Sequence, residues 1–188
     1  KGTKSTAHYT MDLQPGETQM IRLRLCEDGK LGGKQPFGAS YEKIFNTRRA
    51  EADEFYLEVI PEELNQDQRN VMRQAIAGML WSKQYYFFDL DIWLEEHDAN
   101  PLLGGRRKIR NRDWYHMLND HVISMPDKWE YPWYAAWDLA FHTLVFNLVD
   151  PDFAKEQLDL MLRDVYLHPS GQIPAYEWNF GDVNPPVH

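Results

Sequence analysis

Hydrophobic positions recur at helical spacing in four segments of the chain. Apolar residues three or four positions apart, set among polar ones, are typical of a helix that buries one face. Capping residues precede several of these segments, and a proline follows the first one. The pattern predicts helices over residues 40–59, 65–85, 133–148 and 150–167.

Two other segments alternate apolar and polar residues, which is typical of extended strands. Residues 7–13 and 18–25 flank Gln14-Pro15-Gly16-Glu17, a turn-forming sequence, and predict a β-hairpin. Residues 88–94 predict a short extended segment. Because an isolated hairpin is marginally stable in water, we expect the first one to be the last strand pair of a β-domain.

Three regions follow from this pattern. Residues 1–26 would be the end of an N-terminal β-domain, and residues 27–39, rich in glycine and lysine, would be a linker. Residues 40–188 contain the predicted helices separated by long loops. We therefore expect a mainly α fold after the hairpin.

Composition and charge narrow the classes of partner. The net charge of −9 disfavours nucleic acid, whose phosphates require a surplus of lysine and arginine. The single cysteine, Cys26, excludes an internal disulfide, and no residue spacing predicts a metal or other cofactor. No apolar run approaches the roughly 18 residues that span a bilayer. We expect a cytoplasmic protein without a nucleic-acid or membrane partner.

Aromatic residues, 14% of the chain, gather with carboxylates in residues 129–138. At helical spacing Trp137 would share a face with Phe141, and Asp138 would share one with His142. Indole faces beside a carboxylate suit a sugar ring, because the rings cover its C–H groups and the acid accepts hydroxyl hydrogens. The same pattern also fits core aromatics, with Asp138 complementing the helix dipole.

A second aromatic and acidic segment, residues 173–186, follows the last predicted helix. Together with the first it resembles glycoside hydrolase family 63, which includes processing glucosidases and mannosylglycerate hydrolases. The resemblance also extends to residues 78–86, which look like the first barrel helix of this group, and to the hairpin, which looks like the end of its β-sandwich domain. Its motifs are Trp129-Glu130-Tyr131-Pro132-Trp133, Trp137-Asp138, Gly171-Gln172-Ile173-Pro174 and Asn184-Pro185-Pro186.

That resemblance implies an (α/α)6 toroid, of which residues 40–188 would be the first part. It also implies inverting hydrolysis by two carboxylates, a general acid and a general base. In the family the aspartate that matches Asp138 binds the sugar, and the acid and base lie further along the barrel, outside this chain. The implied substrate-binding residues are Trp133, Trp137, Asp138, Glu177, Trp178 and Asn184.

The expected function is therefore that of a fragment of an exo-acting α-glycosidase that hydrolyses oligosaccharides or small glycosides. An acid/base pair of Asp138 with Glu177 or Asp182 stays open as a variant of this hypothesis. Two other classes also remain: a helical-toroid phosphorylase, and a noncatalytic carbohydrate-binding or protein-interaction module.

Overall fold

The computed structural model describes residues 2, 4–27, 29–30, 35–125 and 136–173. Its chain divides into two compact units, Lys1–Glu54 and Phe55–His188. Along the described residues the helices and strands are α1 (Ala39–Val59), α2 (Gln66–Trp81), β1 (Lys83–Asp89), α3 (Leu90–Glu96), β2 (Leu118–Ser124), α4 (Ala136–Phe146) and α5 (Pro151–Met161). A 3₁₀ turn, Arg110–Trp114, lies before β2.

The first unit contains the predicted turn but not the predicted strands. The amide of Glu17 donates to the carbonyl of Gln14 at 2.9 Å, which closes the turn. Within the described part of the chain, residues 7–13 and 18–25 form no strand. The hairpin prediction is therefore wrong, because alternation alone gives two short segments too little buried surface to pair stably.

Hydrogen bonds and an ion pair join this segment to the start of α1. The Tyr41 hydroxyl donates to the carbonyl of Leu23 at 3.4 Å, and Arg22 pairs with Glu42 at 2.5 Å. The observed start of α1 lies one residue before the predicted one, and its end coincides with the predicted end. The prediction of this helix is confirmed.

The second helix begins with a capping box. The Asn65 side chain accepts from the amide of Gln68, and the Gln68 side chain accepts from the amide of Asn65, both at 3.0 Å. At the other end, the amide and hydroxyl of Ser82 both donate to the carbonyl of Met79. These bonds end α2 at Trp81, four residues before the predicted boundary, and the chain continues directly into β1.

The two strands form an antiparallel sheet in which Lys83 lies opposite Ser124 and Asp89 lies opposite Leu118. The extended segment predicted at residues 88–94 is wrong, since the strand ends at Asp89 and α3 follows. The prediction failed because the spacing of Leu90 and Leu94 fits both an alternating strand and one face of a helix. Both residues are fully buried on α3.

An aspartate and a proline start α5, as the sequence predicts. Asp150 accepts a hydrogen bond from the amide of Phe153 at 3.2 Å, and Pro151 occupies the first helical position. The Asp150 carboxylate also pairs with Lys83 at the start of β1. Hydrogen bonding from Lys83, then from the backbone of Phe153, lowers the pKa of Asp150.

The core of the second unit lies where the sheet meets α3, α4 and α5. Trp114 is fully buried there, and its indole N–H donates to the carbonyl of Tyr166 at 3.1 Å. The buried cluster consists of Leu90, Leu94, Ala99, Trp114, Met117, Ile123, Met125, Ala136, Leu139, Leu160, Met161 and Tyr166. The sheet and the helices thus share one core.

This arrangement overturns the expected (α/α)6 toroid. The described residues hold five α-helices and a two-stranded antiparallel sheet, which is a small mixed α/β architecture. A toroid stacks successive helical hairpins, whereas here residues 83–89 and 118–124 pair as strands between α2 and α4. The helical periodicities were read correctly in large part, but they do not encode how the intervening residues pair.

A glutamine side chain covers the outer edge of β2. Gln157 of α5 is 2% exposed; its carbonyl oxygen accepts from the amide of Ser124 at 3.0 Å and its amide donates to the carbonyl of Val122 at 3.1 Å. One side chain therefore satisfies two backbone groups that would otherwise be unpaired, and it fastens α5 to the sheet.

We expect Gln157→Met to lower the free energy of unfolding by roughly 2–5 kcal/mol, because it keeps the side-chain volume and leaves a buried N–H and a buried C=O without partners. Urea unfolding followed by circular dichroism measures the change. The neighbouring exposed substitution Glu156→Gln serves as the control and should leave the midpoint nearly unchanged. Equal midpoints for the two variants would contradict the role assigned to Gln157.

Candidate functional site

The first turns of α4 expose two aromatic rings. Trp137 and Phe141 are 36% and 50% exposed, and their rings meet edge to face with centroids 6.1 Å apart. Ala136, Leu139 and Ala140 of the same helix are buried in the opposite direction. The aromatic pair therefore lies on the surface and does not belong to the buried core.

A carboxylate and an imidazole lie beside the rings. Asp138 and His142 are half-buried and one turn apart on α4. No hydrogen bond or ion pair joins the Asp138 carboxylate to another residue that the structure describes. We refer to Trp137, Asp138, Phe141 and His142 as the α4 surface.

Burial lowers the pKa of His142, and the nearby negative charge of Asp138 acts in the opposite direction. Burial has the larger effect, because removing an imidazolium from water is unfavourable and Asp138 offsets this only in part. His142 is therefore neutral at pH 7, and each of its two ring nitrogens has a different role: one carries a hydrogen and the other a lone pair.

Two serine hydroxyls connect His142 to the sheet and to the end of α2. The Ser124 hydroxyl lies 2.6 Å from Nδ1 of His142 and 3.0 Å from the hydroxyl of Ser82. The Ser82 hydroxyl in turn donates to the carbonyl of Met79 at 2.6 Å. The imidazole orientation is consequently fixed by groups from β2 and from the end of α2.

A second surface feature is an open cleft of about 470 Å³ between the sheet and α5. Lys83, His121, Phe153 and Arg163 contribute to its walls. Both cations have carboxylate partners outside these walls: Lys83 pairs with Asp150, and Arg163 pairs with Asp159 at 2.7 Å. Since these charges are already compensated, we assign no ligand to this cleft.

The structure places two of the six predicted substrate-binding residues. Trp137 and Asp138 lie next to each other on α4. Trp133, Glu177, Trp178 and Asn184 lie outside the described residues, as does Asp182 of the alternative acid/base pair. Their proposed roles stay predictions.

Sequence reasoning missed Ser82, Ser124 and Gln157. Each is an ordinary polar residue in its own segment, and the hydroxyl contact joins positions 42 residues apart in the chain. No local periodicity reports such a separation. Of the three, only Ser82 lies within a segment, residues 78–86, that carries the resemblance to a glycosidase family.

The described residues contain neither a metal-binding cluster nor a membrane-spanning helix. Among them, no group of three or more histidine, cysteine, aspartate or glutamate side chains is arranged to hold a metal ion. No helix in this part of the chain has both the length and the apolar character needed to cross a bilayer.

Comparison with known proteins gives one informative relative. The chain is 45% identical, over 201 aligned positions, to the uncharacterized protein YMR196W of Saccharomyces cerevisiae. The match covers the whole of this chain and 18% of the yeast protein, so the chain spans less than a fifth of that relative. No family model matches the chain. No solved structure matches it either.

The lowered pKa of His142 predicts a pH dependence of stability. The unfolded chain takes up a proton near the ordinary histidine value of 6.5, and the folded state does so at lower pH. The contribution of His142 is thus fully present above about pH 6.5 and is lost as the pH falls towards its folded pKa.

We expect the wild-type unfolding free energy to fall more steeply below pH 6.5 than that of His142→Gln, which has no titrating group at this position. Urea titrations of both proteins at pH 7.5 and pH 5.5 measure the difference. All other titrating groups are common to the two proteins, so their effects cancel in the comparison. Parallel pH profiles would show that burial of His142 does not oppose its protonation.

Proposed function

We propose that this chain provides part of the saccharide-binding surface of an inverting, exo-acting α-glycosidase that hydrolyses oligosaccharides or small glycosides. The observation that carries the proposal is the α4 surface, where exposed Trp137 lies beside the carboxylate of Asp138, which has no hydrogen-bond or ion-pair partner among the described residues. The resemblance to glycoside hydrolase family 63 supplies the reaction class. A cytoplasmic location and the absence of a cofactor or nucleic-acid partner belong to the same proposal.

The chemistry of a sugar ring fits this surface. A pyranose has an apolar face of C–H groups, which the exposed rings of Trp137 and Phe141 can cover, and hydroxyl donors at its edge. The Asp138 carboxylate can accept two adjacent hydroxyl hydrogens because its oxygens are not used by other described residues. Had Trp137 been buried in the core, this assignment would have had no support.

Substrate binding, and not catalysis, is the role assigned to this chain. Asp138 would hold the sugar in the cleaved subsite, while the general acid and general base of the inverting reaction would come from elsewhere in the full-length gene product. Trp133, Glu177, Trp178 and Asn184 complete the proposed set of binding residues. Substitution of each of these residues tests its contribution in the same assays.

The test is hydrolysis of a panel of α-glucosides and α-mannosides by the full-length gene product. We expect Asp138→Asn to lower kcat/KM roughly 10- to 100-fold, the range expected for loss of a charge-assisted hydrogen bond of about 1.5–3 kcal/mol. Trp137→Ala should raise KM through loss of the aromatic face. Glu177→Gln, tested alongside, examines the second aromatic and acidic segment.

Matched controls separate binding from folding. Asp152→Asn removes an exposed carboxylate from the first turn of α5, so it repeats the helix-dipole effect of Asp138→Asn at a distant position. Phe87→Ala removes an exposed aromatic ring from β1. Both should leave kcat/KM unchanged.

Two results would alter the proposal in different ways. A gene product that binds oligosaccharides through Trp137 and Asp138 without cleaving any of them would be a carbohydrate-binding module, and the enzyme assignment would fail. If substitutions on the α4 surface change binding and cleavage no more than the control substitutions Asp152→Asn and Phe87→Ala do, the saccharide site itself is excluded.

A further inference from the structure

The three contacts made by Ser82 and Ser124 determine where each hydroxyl hydrogen lies. A backbone carbonyl can only accept, so the single hydroxyl hydrogen of Ser82 is directed to Met79 at 2.6 Å. In the 3.0 Å contact between the two hydroxyls, Ser82 must then be the acceptor and Ser124 the donor. This assignment leaves Ser124 with no further hydrogen to donate.

The same reasoning fixes the state of the imidazole. With its hydrogen committed to Ser82, the Ser124 hydroxyl can only accept in the 2.6 Å contact with Nδ1 of His142. Nδ1 therefore carries the ring hydrogen. A neutral imidazole has only one N–H, so Nε2 has a lone pair.

The other nitrogen is not occupied by any residue that the structure describes. Nε2 of His142 has no hydrogen-bond partner among the residues that the structure describes. It is also not among the described polar atoms that are buried without a partner. It belongs to the same helix face as Asp138, one turn away. The α4 surface thus presents two hydrogen-bond acceptors beside two exposed rings.

We propose that the Ser82 and Ser124 hydroxyls hold His142 as the Nδ1–H tautomer, and that its Nε2 accepts a hydrogen bond from a saccharide hydroxyl next to the one bound by Asp138. Ser82 and Ser124 are positioning residues, since they act through His142. The identity of the ligand rests on the proposed function, whereas the tautomer rests on the hydroxyl contacts of a neutral imidazole and does not depend on that function.

Two neighbouring acceptors select for two neighbouring donors. Vicinal hydroxyls of a pyranose can satisfy both Asp138 and His142, and a sugar with one of them removed or methylated leaves an acceptor unpaired in a partly desolvated site. With the opposite tautomer, Nε2 would donate and would no longer match a hydroxyl that donates. The Ser82 and Ser124 hydroxyls would therefore determine, through His142, whether Nε2 accepts or donates a hydrogen bond.

The tautomer can be measured without any ligand. In the full chain labelled with ¹⁵N-histidine, long-range ¹H–¹⁵N spectra distinguish a protonated ring nitrogen from one with a lone pair, and His142→Gln identifies the resonances of His142. We expect the wild type to show a protonated Nδ1 and an unprotonated Nε2. A protonated Nε2 in the wild type would overturn the inference.

Ser82→Ala should reverse the tautomer. It removes the acceptor of the Ser124 hydrogen, which is then donated to Nδ1, while the hydrogen on Nε2 can reach water. Ser82→Thr retains a hydroxyl and should restore the wild-type spectrum. Ser170→Ala is the matched control, because it removes a serine hydroxyl 2.7 Å from Nδ1 of another histidine, His168, and should not affect His142.

A neutral imidazole released into water also favours the Nε2–H tautomer. The readout therefore separates positioning from structural support when Ser82→Ala keeps the wild-type unfolding midpoint and Ser82→Thr restores the wild-type nitrogen signals. If Ser82→Ala leaves the nitrogen signals of His142 as they are in the wild type, the Ser82 and Ser124 hydroxyls do not set the tautomer and the inference fails.

The ligand half of the inference is tested by adding methyl α-D-glucopyranoside or methyl α-D-mannopyranoside to the full-length gene product. Binding should shift the Nε2 resonance, and Ser82→Ala should weaken it about tenfold, as expected for loss of one hydrogen bond. Binding that requires Asp138 but leaves Nε2 unshifted would overturn the role of His142 alone. Absence of binding and hydrolysis of either sugar would overturn the saccharide function, while the tautomer result would stand on its own.

Discussion

The hydrogen bonds around Ser124 are the constraint on which the rest of the second unit depends. Its amide donates to Gln157 of α5, and its hydroxyl contacts Ser82 at the end of α2 and His142 of α4. One residue, 2% exposed at the last position of β2, therefore links three helices to the sheet. The α4 surface takes its position from the same links, so folding and the proposed binding chemistry share their interactions.

This sharing lets one buried polar side chain satisfy two partners. A buried hydroxyl or amide without a partner is costly, and the Gln157 amide and the Ser124 hydroxyl each satisfy two neighbours at once. It also separates two kinds of contribution. Gln157 stabilises the strand edge and has no direct contact with the α4 surface, whereas Ser82 and Ser124 decide which nitrogen of His142 carries the hydrogen.

The sequence predicts the parts of this structure that depend on neighbours along the chain. Apolar spacing locates α1 and α2, and Asp150 with Pro151 locates the start of α5. The pairs of Trp137 with Phe141 and Asp138 with His142 follow from one helical turn. The pairing of β1 with β2 does not follow, because its register joins residues up to 41 positions apart. The toroid failed for that reason: helix periodicity was extended to the connections between helices, where strand pairing decides the architecture.

The Gln157 side chain has a consequence for the behaviour of the protein in concentrated solution. A two-stranded sheet has open edges that can recruit a strand from another molecule, and such recruitment can continue into fibrous assemblies. On the outer edge of β2 the groups needed for that recruitment, at Val122 and Ser124, are already occupied by an amide that cannot propagate a ladder. A single side chain of an adjacent helix thus blocks intermolecular β-pairing at this edge of the sheet.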